Sequence, residues 1–576
     1  MSSLRNTRGP LPLLLGAVAG LTAGWTALAT AELVAALVNP AAGPVTAVGG
    51  AVVDRTPAPV KDFAIRSFGE NDKTALAVGI LVLLALLAAA LGITALRHRR
   101  AGALGVLAFG LIGAAAALSR PDSTGPGDAL PSLAGAAAGA AVLYVLAGRA
   151  VRTDGAAPED GTVPEDGGGG RAGGVPGRDG TPTEGSTPVE DGPAASAPAQ
   201  DPAAPGQGRP GAPAGGRRGF LTATALTLLA ATGAGALGRV LSVRRGRDAE
   251  ASRAALVLPP PASPAPAVPR GARLAVPGIS PFTTPNRDFY RVDTALVVPK
   301  VEADAWRLRI HGKGVPRPRV LTLGELLARP LIERDITLTC VSNEVGGPYL
   351  GNARWLGVPL AALLAECGVR PPSAGGPADQ LVARSVDGMT LGSPVEDVMD
   401  GRDAMLAVGM NGEPLPFAHG FPVRMLVPGL YGYVSACKWI ESIELTTFDA
   451  YSAYWVKRKW ARRAPVKTQS RIDTPRPFAR TPAGTVTVAG VAWAQRRGIT
   501  RVEVRVDDGP WKDADLAAQD TVDTWRQWSY RWSATPGGHT LAVRATDATG
   551  RVQPERRTGT IPDGATGHHS VFVTVT

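Results

Sequence analysis

Cys340, His419, Arg424 and Lys438 are the side chains of this sequence whose types and surroundings suit them to chemistry. Cys340 ends the run 335–340, DITLTC, which alternates apolar and polar residues as a half-buried strand does; Asn343, Gly346, Gly347 and Pro348 then break the pattern. The thiol thus sits where a strand becomes a loop and can face a ligand; the competing reading is a small core hydrophobe. A second stretch, 415–444, reads LPFAHGFPVRMLVPGLYGYVSACKWIESIE and brings His419, Arg424 and Lys438 into one strand–turn–strand segment with little helical periodicity. Taken singly, Arg424 and Lys438 also read as solvated strand charges, and His419 as a satisfied core histidine.

Together the two stretches resemble the sulfite oxidase family of molybdopterin enzymes. The likeness is carried by TCVSNEVGG, by HGFPVRMLVPGLYG and by the following CKWI, and it covers about half of the chain, from Phe282 onward. The resemblance implies that Cys340 is the molybdenum ligand and that His419, Arg424 and Lys438 hold the pterin and its phosphate. The chemistry agrees, since a soft thiolate suits a high-valent metal and an arginine fork with a lysine point charge suits a phosphate. In ISPFTTPNRDFYRVD, Asn286, Phe289, Tyr290 and Arg291 resemble the family's first pterin-contacting segment, with Arg291 helping to close the pocket. Asn343 matches an Asn that follows the metal-binding Cys in part of the family. Asp387, in an Asp-Gly turn, is a further cofactor-binding candidate whose alternative is plain turn chemistry.

Three departures bear on substrate. Where sulfite-oxidising members carry a basic residue five positions after the Cys, this chain has Val345, preceded by Glu344. The His that follows their first pterin-contacting Arg is Asp293 here. Their active-site Tyr, placed by counting from Trp455, falls on Trp460, with Tyr454 and Lys457 close by. The expected catalytic set is therefore Cys340, Arg291 and Trp460. Loss of charged hydrogen bonds weakens dianion binding by about 1–3 kcal/mol each, so the fold and cofactor carry over more safely than the substrate.

The elements that must position these residues follow from the rest of the 576-residue chain, long enough for several domains. Four apolar spans, 11–38, 75–96, 101–118 and 130–151, are each near the ~20 residues that cross a bilayer. They are apolar all round, against a soluble bundle, and are read as a membrane anchor over 1–152. Arg5 and Arg8, the 97–100 RHRR turn, and Arg149 and Arg152 place both ends of this unit on the cytoplasmic side, facing a charge-balanced 45–73 loop. Glu32 reads as an interfacial residue near the outer end of the first span. Residues 153–216 are Gly, Pro, Ala and acid with no aromatic residue, and are expected to be a disordered linker. Arg217-Arg218-Gly219-Phe220-Leu221 and the apolar run to Leu237 resemble a twin-arginine export signal, or equally a fifth membrane helix, over 217–243. Either way the chain crosses outward, although Arg244, Arg245, Arg247 and Arg253 follow the span against the usual charge bias.

Residues 244–274, with the Pro/Ala run 259–269, are expected to be an extended tether. From 275 to 470 short strands and helices without βαβ alternation argue an α+β catalytic domain. From 471 to 576 strands alone, separated by Gly/Asp/Pro turns, argue an immunoglobulin-like β-sandwich, which the resemblance makes a dimer interface and hence a route to a homodimer. Net charge is +11, but the basic residues are spread along the chain and flank apolar spans, so no nucleic-acid partner is expected. The three cysteines, Cys340, Cys367 and Cys437, form no CxxC pair, which argues against a disulfide framework, zinc, iron–sulfur or c-type haem. Only His98 of the six histidines precedes His311, so the spans lack paired haem ligands and no haem is expected. The whole reads as a multi-pass membrane oxidoreductase with a molybdenum–molybdopterin cofactor. Its exported domain transfers an oxygen atom to or from a small-molecule substrate and uses a separate electron carrier. A sulfoxide reductase of the same fold and a metal-free binding module are the alternatives.

Overall fold

The computed structural model describes residues 10–56, 60, 72–120, 123, 125–154, 217–295 and 297–576. The expected linker, 153–216, lies outside the described residues apart from its first two positions, as do Arg5, Arg8 and half of the charges assigned to the 45–73 loop.

The apolar spans form helices α1 (Pro10–Val38), α3 (Asp72–Arg97), α4 (Arg99–Leu118) and α5 (Leu130–Asp154). Between α1 and α3 lies α2 (Pro44–Arg55), a helix where only a loop was expected. Proline at its first turn is compatible with helix because that N–H is unpaired anyway. Ala47 of α2 is fully buried and clusters with Ala116 and Ala117 of α4, so packing recruits a segment too short to span a bilayer. The fifth apolar run belongs to α6 (Arg217–Ala255), whose 39 residues make a rod of about 58 Å at 1.5 Å per residue. Five of these helices are long and apolar enough to cross a membrane.

The catalytic region is built on two sheets, whose strands are β1 (Arg307–Gly312), β2 (Arg319–Thr322), β3 (Ile332–Thr339), β4 (Leu350–Pro359), β5 (Gln380–Ser385), β6 (Thr390–Pro394), β7 (Met405–Met410), β8 (Glu413–Pro414), β9 (Arg424–Leu426) and β10 (Ile440–Thr446). One sheet has the order β2-β1-β10-β5-β6, the other β3-β4-β7-β8 with β9 on β7. Only β1–β10 is parallel among these pairings, in line with an α+β fold. Local chemistry explains several elements. Thr322 and Glu325 form a capping box at the start of helix Leu323–Leu327. Asn411 and Gly412, both at positive φ, supply the tight turn between β7 and β8.

The C-terminal region comprises β11 (Gln469–Thr474), β12 (Arg480–Thr481), β13 (Gly484–Trp493), β14 (Ile499–Val506), β15 (Lys512–Asp513), β16 (Asp515–Leu516), β17 (Arg526–Ala534), β18 (Gly537–Asp547) and β19 (His569–Val575). They make two sheets, β11-β13-β17-β16 and β12-β19-β18-β14-β15, that share a core including Val488, Trp528, Val543 and Val573. The expected boundary after 470 cuts through β11. Trp493 and Trp525 belong to the catalytic region's core, so the two regions share hydrophobic packing.

The expected extended tether is docked on the catalytic region. Helix α6 continues to Ala255, and Leu256 and Leu258 pack on the catalytic core. Ser263 then pairs with β3: its N–H donates to Leu331 and its carbonyl accepts from Glu333 at 2.9 Å, while Arg334 donates to both its carbonyl and its hydroxyl. Proline-rich composition gives extension, and an extended chain can add to a sheet edge wherever its N–H groups remain. A fragment starting at Gly271 should therefore be less stable to urea than one starting at Gly246, by about 1–3 kcal/mol from two partly buried leucines and the edge hydrogen bonds. Equal denaturation midpoints would show that the docking contributes nothing.

Candidate active site

Cys340 follows β3 directly. Its N–H donates to the Tyr349 carbonyl at 2.9 Å and its carbonyl accepts from Asn343 N–H at 3.1 Å, so the chain reverses immediately and the buried thiol is left at the end of the strand. The Ser342 hydroxyl lies 2.9 Å from Sγ. Burial pushes the thiol pKa up, against Ser342 and the Lys438 charge, which pull it down. Binding a metal cation through this sulfur therefore displaces a proton.

A cleft with about 900 Å³ of empty space, its solvent mouth included, gathers Cys340, Phe289, Tyr290, Asp387, His419, Arg424, Lys438 and Trp460 in its lining. Eight positions spread over 289–460 thus converge on one site: Cys340 follows β3, Asp387 follows β5, Arg424 opens β9 and Lys438 precedes β10. Asn343 and Arg291 do not line it. Asn343 is buried, and its carboxamide oxygen accepts from Tyr349 N–H at 2.8 Å, so it fastens the Cys340 loop from behind. Arg291 is partly exposed and reaches Asp293, which does line the cleft, at 3.4 Å.

Arg424 is the least compensated charge in the site. Its side chain is buried, Nη1 donates to the His419 carbonyl at 3.1 Å, the guanidinium lies 5.0 Å from the Trp355 ring centroid, and Nε has no partner. No carboxylate pairs with it among the described residues. Burial pulls its pKa down to about 10, so it stays charged at neutral pH. A buried cation lacking a counterion is costly unless a ligand supplies the anion, and its orphaned Nε–H is a donor awaiting one.

Lys438 is balanced differently. Its Nζ donates to Asp293 at 2.9 Å and sits 4.6 Å from the Trp439 ring centroid, and burial brings its pKa down to about 8 against the opposing pull of Asp293. His419 Nε2 faces the Asn286 carbonyl at 2.9 Å, so that nitrogen carries the proton. Burial and the Arg424 charge lower its pKa to about 4, leaving a neutral ring. Phe289 packs edge-on to His419 and stacked on Tyr290. Asp387 accepts from Ser385 and, at 3.1 Å, from Thr294.

At the aromatic side of the cleft Trp460 packs against Tyr433 and Trp455, with ring centroids 5.7 and 6.4 Å away. Tyr433, Trp455 and Ser342 were not anticipated as site residues; neither Tyr454 nor Lys457 lines the cleft. The signal for Tyr433 was its place in LYGYV, two residues beyond the core residue Tyr431.

The C-terminal sheets reach this site from behind. Arg471 donates to the Gly347 carbonyl at 2.7 Å, and Gln495 donates to Thr337 O and Thr339 Oγ1 of β3. A side chain at Gly346, whose φ is 79°, would collide with the His569 ring.

The comparisons agree with this geometry. Residues 295–455 match the model of the oxidoreductase molybdopterin binding domain, and 463–569 that of the Mo-co oxidoreductase dimerisation domain. The chain is 32% identical over 321 residues to sulfite oxidase from Gallus gallus, covering 48% of this chain and 68% of that one. With mitochondrial sulfite oxidase from Mus musculus it shares 29% identity over 48% of this chain and 58% of the relative. Among solved structures, the sulfane dehydrogenase SoxCD from Paracoccus pantotrophus matches at 28% identity and a TM-score of 0.43, over 49% of this chain and 76% of that one. The chain belongs to the sulfite oxidase family of molybdopterin oxidoreductases. It is a molybdenum-dependent oxidoreductase, and the orphaned Arg424 donor beside a buried thiol fits the anionic pterin cofactor the family uses.

Two outcomes follow. Arg424→Met should strip pterin from the purified protein while stabilising the cofactor-free form by about 1–4 kcal/mol, since a buried unpaired charge is replaced by a hydrophobe; pterin fluorescence and melting curves check both, and Lys438→Ala should lose less cofactor because Asp293 already balances it. His419 and His569 are both held at about 4 against an ordinary 6.5. The stability they contribute is complete above pH 6.5 and is lost as pH falls toward 4, by at most about 3 kcal/mol each. His419→Gln should lose less melting temperature than the parent between those values.

Proposed function

We propose that this protein is a membrane-tethered oxidoreductase whose catalytic domain lies on the extracytoplasmic side and exchanges an oxygen atom with a small sulfur-containing substrate. The observation that carries the catalytic reading is the convergence of Cys340 and the uncompensated Arg424 on one cleft. When bound, the molybdopterin group supplies a two-electron centre for oxygen-atom transfer. Cys340 would ligate the metal. Arg424 and His419 would hold the pterin and its phosphate, with Lys438, Phe289, Tyr290 and Asp387 completing its cradle and Asn343 fastening the Cys340 loop. Trp460, Trp455 and Tyr433 would shape the substrate's side of the cleft and exclude water from it.

One feature favours the sulfoxide-reducing alternative over sulfite oxidation. Asp293 accepts from Lys438 and also pairs with Arg291, so a single carboxylate holds two cations that an anionic substrate would need. With Val345 in place of a base and a pterin phosphate engaging Arg424, little positive charge is left for sulfite, whereas a neutral sulfoxide meets an aromatic wall.

Membrane tethering is supported by five apolar helices and by the basic turns 97–100 and 149–152, which favour the cytoplasmic side. Arg253, one of the cations that follow the last span, is drawn to Glu413 of the catalytic region at 3.1 Å. The C-terminal region is proposed to be an immunoglobulin-like sandwich that mediates a homodimer, in keeping with its dimerisation-domain match. Electrons would pass to or from a separate carrier.

The test is a substrate screen on the detergent-solubilised full chain with artificial electron carriers. We expect about one molybdenum per chain, sulfoxide turnover, and weak or no sulfite oxidation; Cys340→Ser should lose metal and activity while keeping its melting transition. A low-micromolar KM for sulfite would restore sulfite as substrate, and full activity in Cys340→Ser would remove the metal assignment.

A further inference from the structure

Helix α6 begins with the residues that resemble an export signal, and such signals are removed after transport. Its small-residue run, Ala230-Ala231-Thr232-Gly233-Ala234-Gly235-Ala236-Leu237-Gly238, reads naturally as the cleavage region of such a leader. In the folded chain these residues have another occupation. Trp25 Nε1 of α1 donates to Thr232 Oγ1 at 3.1 Å. A Cβ at Gly235 would lie 3.3 Å from the Ala29 Cβ, and one at Gly238 would be 2.8 Å from the Leu33 Cα, too close for any side chain. Phe220, one turn into α6, is buried in the cluster that holds Ala19 and Ala23 of α1 and Leu146 of α5.

The contacts 25 with 232, 29 with 235 and 33 with 238 ascend together, so α1 and α6 run parallel and cross in the same direction. Small residues that let backbones approach are how helices associate where no hydrophobic force separates them from lipid. The helix is also continuous beyond the span. At its far end Ser252 Oγ accepts from Ala303 N–H at 3.1 Å, Glu250 meets Lys300 at 2.6 Å, and Arg253 donates to the carbonyls of Pro414 and Leu415 at 2.6 and 2.8 Å. Those two carbonyls lie just upstream of His419 in the cleft.

We infer that α6 is not a removable leader but a permanent fifth helix of the bundle, held by α1 at one end and by the catalytic domain at the other. This rests on the membrane reading above. It makes the stalk a rigid strut fixed to the segment that leads into the pterin-binding loop, with the catalytic domain in a set orientation over the bundle.

The test uses the full chain carrying Ala29→Cys and Gly235→Cys, with a protease site inserted between 155 and 216. The Cβ separation of 3.3 Å is within a few tenths of an ångström of the disulfide range, and the native cysteines are buried. After oxidation in native membranes and cleavage at the inserted site, the halves should stay joined on non-reducing gels and separate on reduction. The pair Ala29→Cys with Leu229→Cys should not cross-link, because Leu229 is 71% exposed on another face. Should the double variant fail to accumulate, mass mapping of the unmodified chain decides: one polypeptide carrying both α1 and β19 peptides supports retention. A catalytic fragment beginning after Gly238 would overturn it while leaving the four-helix anchor intact. An intact chain whose cysteines do not join would overturn the packing. An intact, cross-linked chain in the soluble fraction would instead overturn the membrane reading.

Discussion

The arrangement turns on one constraint: a guanidinium at Arg424 is buried with no carboxylate paired to it among the described residues. Such a group is tolerated only where the surrounding structure is stable enough to hold it and a ligand supplies the missing charge. The rest of the cleft is consistent with that demand. His419 is kept neutral, so it adds no second uncompensated cation, and its carbonyl accepts a hydrogen bond from the guanidinium. Lys438 has its own acid in Asp293, and Trp355 offers a ring face. The cleft is thus poised for one strongly bound anion.

The thiol depends on a different kind of support. Cys340 is one residue past β3, and that strand is braced on both sides: by β4 through its ladder, and by the C-terminal region through Gln495, Trp525 and the Asp523 carbonyl. The loop after the thiol is held by Arg471 and pressed by His569. A metal ligand on a loop is precise only if its neighbours are fixed. Here the fixing elements come from a region with no side chain in the cleft lining, which gives the C-terminal sheets a part in the site beyond assembly.

The stalk extends the same logic toward the bundle. Arg253 draws together Glu413, Pro414 and Leu415, and Asn286 joins Glu413 to the carbonyl that orients His419. A short chain of hydrogen bonds therefore runs from the end of α6 to the imidazole. Composition alone describes the neighbouring segment as an extended tether, because proline-rich sequence carries no mark of the edge strand it will meet.

What the sequence determined by itself is considerable. The motif residues Cys340, His419, Arg424 and Lys438, the apolar spans, the α+β catalytic region and the main C-terminal strands were all legible, because short-range periodicity, turn residues and a specific motif report local structure and family. What only the tertiary structure decided concerns pairing over long distances. Asp293 could be seen as a substitution, but not as the acid that holds both Lys438 and Arg291. Asn343 matched a motif yet serves the loop rather than the cleft lining, and Tyr433 enters the cleft although nothing in its spacing from Cys340 placed it there. Helix α2 forms because Ala47 finds Ala116 and Ala117, and the small residues of α6 meet α1 rather than marking an end. For the Lys438–Asp293 pair, for α2 and for α6 the deciding partner is more than sixty residues away, which no local pattern encodes.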